Sequence, residues 1–443
     1  EVAGGGTDTV ASSISLTLGS HLENLSLGGT ANLRGTGNAL ANQLQGNSGA
    51  NILDGASGAD TMEGNGGNDT YHVDNALDVV TEFGEAFGTD TVVSSVTHVL
   101  GSFLENLTLT GTAALDGTGN ALVNVLRGNA GANILDGGGG PDTMYGGAGN
   151  DTYRVGNAGD VVSEASGAGT DTVISSVTRT LGDHQENLTL IGTAALRATG
   201  NALRNVLQGN EGANVLDGAV GADTMAGGAG NDTYHVGELG DVIQERASQG
   251  VDTVVAGVSW NLGSNQENLS LVGTAGSTGT GNALANDLRG NAAANRLDGG
   301  GGNDSVYGAS GNDTILGAAG ADIIRGGYGR DALTGGADGD RFVYVAASES
   351  TGTAFDVITD FTRGADKIDL SRIDANGSSA GTSDFDFIGG AAFSADATAQ
   401  IRYVRDGSSG RTMIYGSTDA DAQAEFAIQL VGSTVLGLSD FLL

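Results

Sequence analysis

The sequence predicts an all-β fold: a right-handed parallel β-roll or β-helix solenoid closed by a non-repetitive, β-rich C-terminal cap. Two observations predict it. A long motif recurs, with GNALANQLQGN at 37, GNALVNVLRGN at 119, GNALRNVLQGN at 200 and GNALANDLRGN at 281, so the spacing is 82, 81 and 81 residues. Inside it runs a shorter period of nine, visible from Gly37 as GNALANQLQ, GNSGANILD, GASGADTME and GNGGNDTYH. Repeats at such periods indicate stacked supersecondary units.

Each nonapeptide has a physical reading. Its first six positions are dominated by Gly, Asn and Asp, which form turns because glycine adopts positive φ without steric cost. Its last three, such as Thr70-Tyr71-His72, make a minimal strand whose centre points one way and whose flanks point the other. Two strand-turn units give a coil of 18 residues. Stacked coils pair their strands in parallel, with a right-handed crossover, and bring the eighth-position side chains (Met62, Tyr71, Val80 and their equivalents) into a thin core. A flexible glycine-rich linker has no reason to hold apolar residues at one fixed position.

The order along the chain follows. Residues 1–280 form solenoid units of about 81 residues, each about eight nonapeptides plus short insertions such as 82–84. The opening EVAGGGTDTV aligns with 82–92, so the chain reads as starting mid-repeat. Residues 281–343 are uninterrupted nonapeptides, and 344–443 leave the period. That last stretch has strand-like runs (DFDFIGG, AQIRYVRD, RTMIYGS, FAIQLVGS) suited to covering an open sheet edge.

Composition narrows the partners. The chain carries 53 acidic and 18 basic residues, a formal charge of −35, with 79 glycines, one proline (Pro141) and no cysteine. Such a surface is a poor partner for nucleic acid or anionic membrane and a good one for divalent cations. Disulfides and thiolate metal sites are excluded, and no apolar run reaches the length of a membrane span.

The sixth position of the nonapeptide is Asp or Asn. Calcium takes six to eight oxygen ligands, which turn carbonyls and carboxylates can supply. Aspartates 18 residues apart should face each other in adjacent coils. The pairs are Asp60/Asp78, Asp142/Asp160, Asp223/Asp241, Asp304/Asp322, Asp313/Asp331 and Asp322/Asp340. Across the insertions, Asp69/Asp90, Asp151/Asp171 and Asp232/Asp252 also pair. Where the sixth position is Asn (Asn42, Asn51, Asn124, Asn133, Asn205, Asn214, Asn286, Asn295), amide or water-bridged ladders with little or no calcium are expected.

GGAGNDTYR (146–154), GGGGNDSVY (299–307) and GGYGRDALT (326–334) match GGxGxDxUx, so the chain resembles the RTX (repeats-in-toxin) family over residues 1–343. That resemblance implies a calcium-bound parallel β-roll in which turn carbonyls and the sixth-position Asp bind Ca²⁺. ITDF, GADKIDLS and the terminal DFLL (440–443) resemble the C-terminal domain of serralysin-type secreted proteins. This implies type I secretion with an uncleaved C-terminal signal, and an extracellular or cell-surface location. Asp356 and Asp366 are candidates for a further calcium near the junction.

Catalytic signals are weak. The five histidines form no HExxH motif, no GK[ST] follows the glycine-rich turns, and GSSAG (377–381) lacks the context of a hydrolase nucleophile. The recurrent NLS and NLT (Asn24, Asn106, Asn187, Asn268) read as ladder positions, and Trp260 as a packing residue replacing polar residues near Thr97 and Thr178. The chain itself therefore reads as a non-catalytic calcium-binding folding module. The alternatives are the tail of a secreted protease, lipase or polysaccharide epimerase, and a carbohydrate- or ice-binding adhesin segment. Self-association or a surface polysaccharide partner fits the main reading.

Overall fold

The computed structural model describes residues 5–84, 88–376, 383–396, 398–432 and 434–443; the GSSAG stretch lies outside them. They divide into two units, Glu1–Glu211 with Gly218–Thr224, and Gly212–Asp217 with Met225–Leu443. Apart from two short 3₁₀ turns, Ala347–Glu349 and Leu438–Asp440, the regular structure described is strand. No helix is long and apolar enough to cross a membrane among the described residues.

The first unit is a parallel β-solenoid. Its strands of two to four residues alternate between flanks. On one flank, Thr9–Ser12, Asn24–Leu27, Gln43–Gln45, Thr61–Glu63 and Val79–Thr81 form a five-stranded sheet. On the other, nine strands from Leu16–Thr17 to Val161–Ser163 form one sheet. Leu44 stands opposite Met62, and Leu53 opposite Tyr71, each one coil of 18 residues away. The inward centre residues Leu44, Leu53, Met62, Tyr71, Val92 and Leu107 are fully buried. One such residue per three-residue strand explains a core only one side chain thick. Val80, on the last strand of the five-stranded sheet, stays half-buried.

The insertions change the coil length. Thr70 pairs with Thr91 at 21 residues, Thr91 with Asn106 at 15, and Asn106 with Val125 at 19, before 18 returns at Val125 and Thr143. One flank loses a strand here: its sheet ends at Val79–Thr81, and a new one opens at His98–Val99. The first residue of the reopening strand is variable. His98 stands opposite Gly117, and in the equivalent places Arg179 stands opposite Ala198 and Trp260 opposite Gly279. Trp260 therefore replaces His98 and Arg179, not the neighbouring threonines.

The second unit repeats this pattern and then becomes more regular. Ser305–Ser310, Thr314–Ala319, Ile323–Tyr328 and Ala332–Ala337 are six residues long, because consecutive glycine-rich turns keep Ala309 and Gly327 in ladder register as well. Parallel stacking continues past Val343, with Ala332 opposite Val357 and Arg341 opposite Lys367. Antiparallel strands Gln400–Asp406, Arg411–Ser417 and Phe426–Val431 then extend the sheet. Phe441–Leu442 pairs in parallel with Ile368–Asp369, so the terminal residues are docked, with Phe441 buried and Asp440 fully so.

Candidate metal centres

The sixth-position side chains form a ladder. The N–H of Asp304 donates to Asp322 Oδ1 at 2.8 Å, that of Asp313 to Asp331 at 2.7 Å and that of Asp322 to Asp340 at 3.0 Å. Asp60 and Asp142 donate likewise to Asp78 and Asp160, both at 3.0 Å. Across the longer coils, Asp69 donates to Asp90 and Asp151 to Asp171 at 2.7 Å, and Asp232 to Asp252 at 2.8 Å. Asp223 lies in the first unit, where its Oδ1 accepts from Asn205 N–H at 2.7 Å; Asp241 lies in the second, where its Oδ2 accepts from Glu238 N–H at 3.2 Å. The ladder runs on from Asp331 to Asp356 and from Asp340 to Asp366.

A backbone N–H uses only one carboxylate oxygen. The other, Oδ2, is buried and without a hydrogen-bond partner in Asp60, Asp69, Asp142, Asp151, Asp171, Asp232, Asp304, Asp313, Asp322, Asp331, Asp340 and Asp356. A buried anionic oxygen with no donor is costly. The asparagines at the same position show what is missing. Asn124 accepts from Asn120 N–H at 2.7 Å and its Nδ2 donates to the carbonyls of Leu104 and Glu105 at 2.9 and 3.2 Å. Asn42, Asn133, Asn205, Asn286 and Asn295 also donate to backbone carbonyls, which departs from the expected Asn–Asn ladder, whereas Asn51 Nδ2 donates to the amide oxygen of Asn47 at 3.2 Å. An amide brings its own hydrogens to the carbonyls, whereas a carboxylate facing turn carbonyls needs a cation. The donor set, all hard oxygen, fits Ca²⁺.

The predicted residues are not all alike. Asp78 and Asp160 spend Oδ2 on N–H groups of their own turns, from Asn75 at 3.2 Å and Asn157 at 3.0 Å, as Asp241 does with Glu238. The turns of these three open on a valine in place of glycine, as in VDNALD and VGNAGD, and they are the least in need of an ion.

Several carboxylates lie outside the nonapeptide rule. Glu105 takes the next rung where the coil shortens to 15 residues: Asp90 N–H donates to its Oε2 at 2.8 Å. Glu23, Glu186 and Glu267 do the same for Asp8, Asp171 and Asp252. The longer side chain spans what Asp cannot. Glu82 joins Asp69 and Asp90, Glu164 joins Asp151 and Asp171, and Glu245 joins Asp232 and Asp252, with the ligand atoms of each trio within 4.8 Å of one another. Tyr71, Tyr153 and Tyr234 donate their hydroxyls to these glutamates. The signal was present in sequence: each Glu follows its first Asp by 13 residues, outside the period of nine.

Burial raises these acids. Asp69 is pushed up to about 6 by burial and by Asp90, and Asp90 to about 7 by burial and by Glu82 and Glu105. Glu164 rises to about 7 by burial and the charge of Asp171, and Glu245 to about 8 by burial and by Asp252 and Asp232. In the second unit Asp304 and Asp313 rise to about 7 through burial and their ladder partners. Asp356 rises to about 8 through burial and Asp331. Glycine makes room for these groups. A Cβ at Gly64 would collide with Asp69 Oδ2 and the Tyr71 hydroxyl, and one at Gly308 with Asp313 Oδ2 and the Gly326 carbonyl.

Comparison with known proteins agrees with this chemistry. Residues 36–71, 118–153, 199–234 and 280–315 match the RTX calcium-binding nonapeptide repeat. Residues 298–443 match the C-terminal region of the serralysin peptidases, family M10. Among solved structures, the AlgE6R3 subunit of the Azotobacter vinelandii mannuronan C5-epimerase aligns at 26% identity, covering 36% of this chain and 77% of that one, with a TM-score of 0.19. The AlgE6R2 subunit of the same enzyme aligns at 23% identity over 37% and 89%, with a TM-score of 0.20. No curated protein matches the chain.

Proposed function

Starting from a chain that carries RTX calcium-binding nonapeptide repeats and a serralysin-type C-terminal domain, we propose that it is the calcium-driven folding module of a secreted bacterial protein. In this reading the solenoid serves export, spacing or a surface layer, and the calcium ligands are the sixth-position aspartates. The observation that carries it is the row of buried Oδ2 atoms without partners. In a cytosol poor in calcium these carboxylates repel one another and the chain of charge −35 stays unfolded for threading through a type I exporter. Outside, calcium at about 10⁻³ M fills sites of modest affinity, and binding free energy becomes folding free energy. Absence of cysteine suits such export. The C-terminal domain covers the sheet edge after folding and carries the export signal before it.

A second reading is favoured by the match of residues 298–443 to a peptidase family's C-terminal region: the module serves a secreted enzyme whose chemistry resides elsewhere. Both readings share one test, a calcium titration of the purified chain followed by far-UV circular dichroism, with magnesium as control. A cooperative coil-to-β transition specific to calcium is expected. A chain already β-folded in excess chelator would overturn the folding switch.

A further inference from the structure

The trios built around Glu82, Glu164 and Glu245 differ from the ordinary turns in three ways. They hold three carboxylates instead of two. Besides the aspartate Oδ2 atoms, Glu82 Oε2, Glu164 Oε2 and Glu245 Oε2 are buried without a hydrogen-bond partner, while the other glutamate oxygen accepts from a tyrosine. Glu82 is 6% exposed and Asp69 1%; Glu164 and Glu245 are half-buried side chains whose Oε2 atoms are themselves buried.

Their place in the fold is also particular. Asp69 and Asp90 stand immediately before Thr70–Val73 and Thr91–Ser94, neighbours in the sheet that continues. Glu82 comes immediately after Val79–Thr81, the last strand of the sheet that ends there. Glu164 likewise follows Val161–Ser163, the end of the nine-stranded sheet, and faces Asp151 and Asp171. Asp232 and Asp252 stand before the paired strands Thr233–Val236 and Thr253–Ala256, and Glu245 follows Val242–Ile243.

We propose that each trio is a distinct calcium site, completed by Glu82, Glu164 or Glu245, that binds more tightly than the two-aspartate turns and fastens the last strand before the insertion to the strands that continue. Three ligand oxygens within 4.8 Å suit an ion held at about 2.3–2.6 Å from each. Calcium affinity rises with ligand charge, and the third carboxylate supplies it; the tyrosine bond occupies the glutamate's other oxygen and leaves Oε2 for the ion. The three sites fill first, one per unit of about 81 residues, at the positions where the insertion has removed a strand. This rests on the reading of the aspartate turns as calcium sites and adds residues outside the nonapeptide.

The test is a calcium titration of the full chain against a competing fluorescent chelator. The wild type is compared with the triple variant Glu82→Gln, Glu164→Gln, Glu245→Gln and with Asp313→Asn. Three equivalents tighter than the rest are expected in the wild type. They weaken on the order of tenfold or more in the triple variant, and remain in Asp313→Asn. Gln keeps the length and an acceptor for the tyrosine. A second variant, Tyr71→Phe, Tyr153→Phe, Tyr234→Phe, retains all three carboxylates and is expected to keep the three tight equivalents. Identical isotherms for wild type and the glutamine variant, or loss of the tight class in the phenylalanine variant as well, would overturn the proposal. If the wild type binds no calcium, the aspartate reading itself fails; if it binds calcium in one uniform class, only the glutamate sites fail.

Discussion

Asp322 accepts the backbone N–H of Asp304 at 2.8 Å through Oδ1, while its own N–H donates to Asp340 at 3.0 Å and its Oδ2 lies buried without a donor. One residue, through its side chain and its backbone N–H, thus links three coils and keeps a second oxygen unpaired. That division separates the role of the ladder from the role of the ion.

Asp322→Asn keeps Oδ1 and removes the charge. In calcium the variant loses an ion ligand, and stability is expected to fall by about 1–3 kcal/mol. In excess chelator the sign reverses, because the substitution removes a buried carboxylate raised by burial and by Asp338, and the new amide can reach turn carbonyls as Asn124 does. Denaturant midpoints measured with and without calcium check this. A loss of equal size in both conditions would show that calcium does not use this oxygen.

Acidification is expected to stabilise the calcium-free fold. Asp304 and Asp313 move from 3.8 to about 7, and Asp356 to about 8, all by burial first and ladder neighbours second. A folded-state value above the unfolded one means that the folded chain binds more protons. The favourable contribution is then full below about pH 4 and is lost as pH rises through 7 to 8. In chelator, the β-signal in circular dichroism should grow from pH 8 to pH 5. With calcium present the dependence inverts over the same window, because protons compete with the ion for the carboxylates. A flat chelator profile would contradict the buried-carboxylate account.

Phe441→Ala should loosen the cap without touching the ladder. Phe441 is buried beside Phe387, with ring centroids 5.2 Å apart, and Phe441–Leu442 pairs with Ile368–Asp369. Truncating a buried phenylalanine costs about 3–5 kcal/mol. Hydrogen exchange should therefore speed up around residues 367–369 and 400–406 while protection at Leu44, Leu53 and Met62 is unchanged. Uniform loss of protection would show that the cap is part of one cooperative unit with the coils.

The sequence by itself determined the strand-turn unit, the coil of 18, the parallel pairing and inward residues such as Met62 and Tyr71, because a fixed period constrains turn and core positions together; Val80, placed inward by the same period, is only half-buried. It also paired nonapeptide aspartates that meet within each unit, including Asp69 with Asp90 across an insertion. Only the tertiary structure decided what happens where the period breaks. Coil closure there depends on the length of each turn, so a coil of 15 calls on Glu105 where Asp would be too short. A coil of 21 lets Glu82 enter the space between Asp69 and Asp90. It likewise decided that Asp78 and Asp160 are satisfied by their own turns, and that stacking continues through Asp356–Ile358 and Lys367–Asp369 after the nonapeptides end. For the carboxylates the physical reason is the same. A sequence period encodes contacts between equivalent positions, whereas a side chain's second oxygen is satisfied by whichever groups the folded turn brings near it.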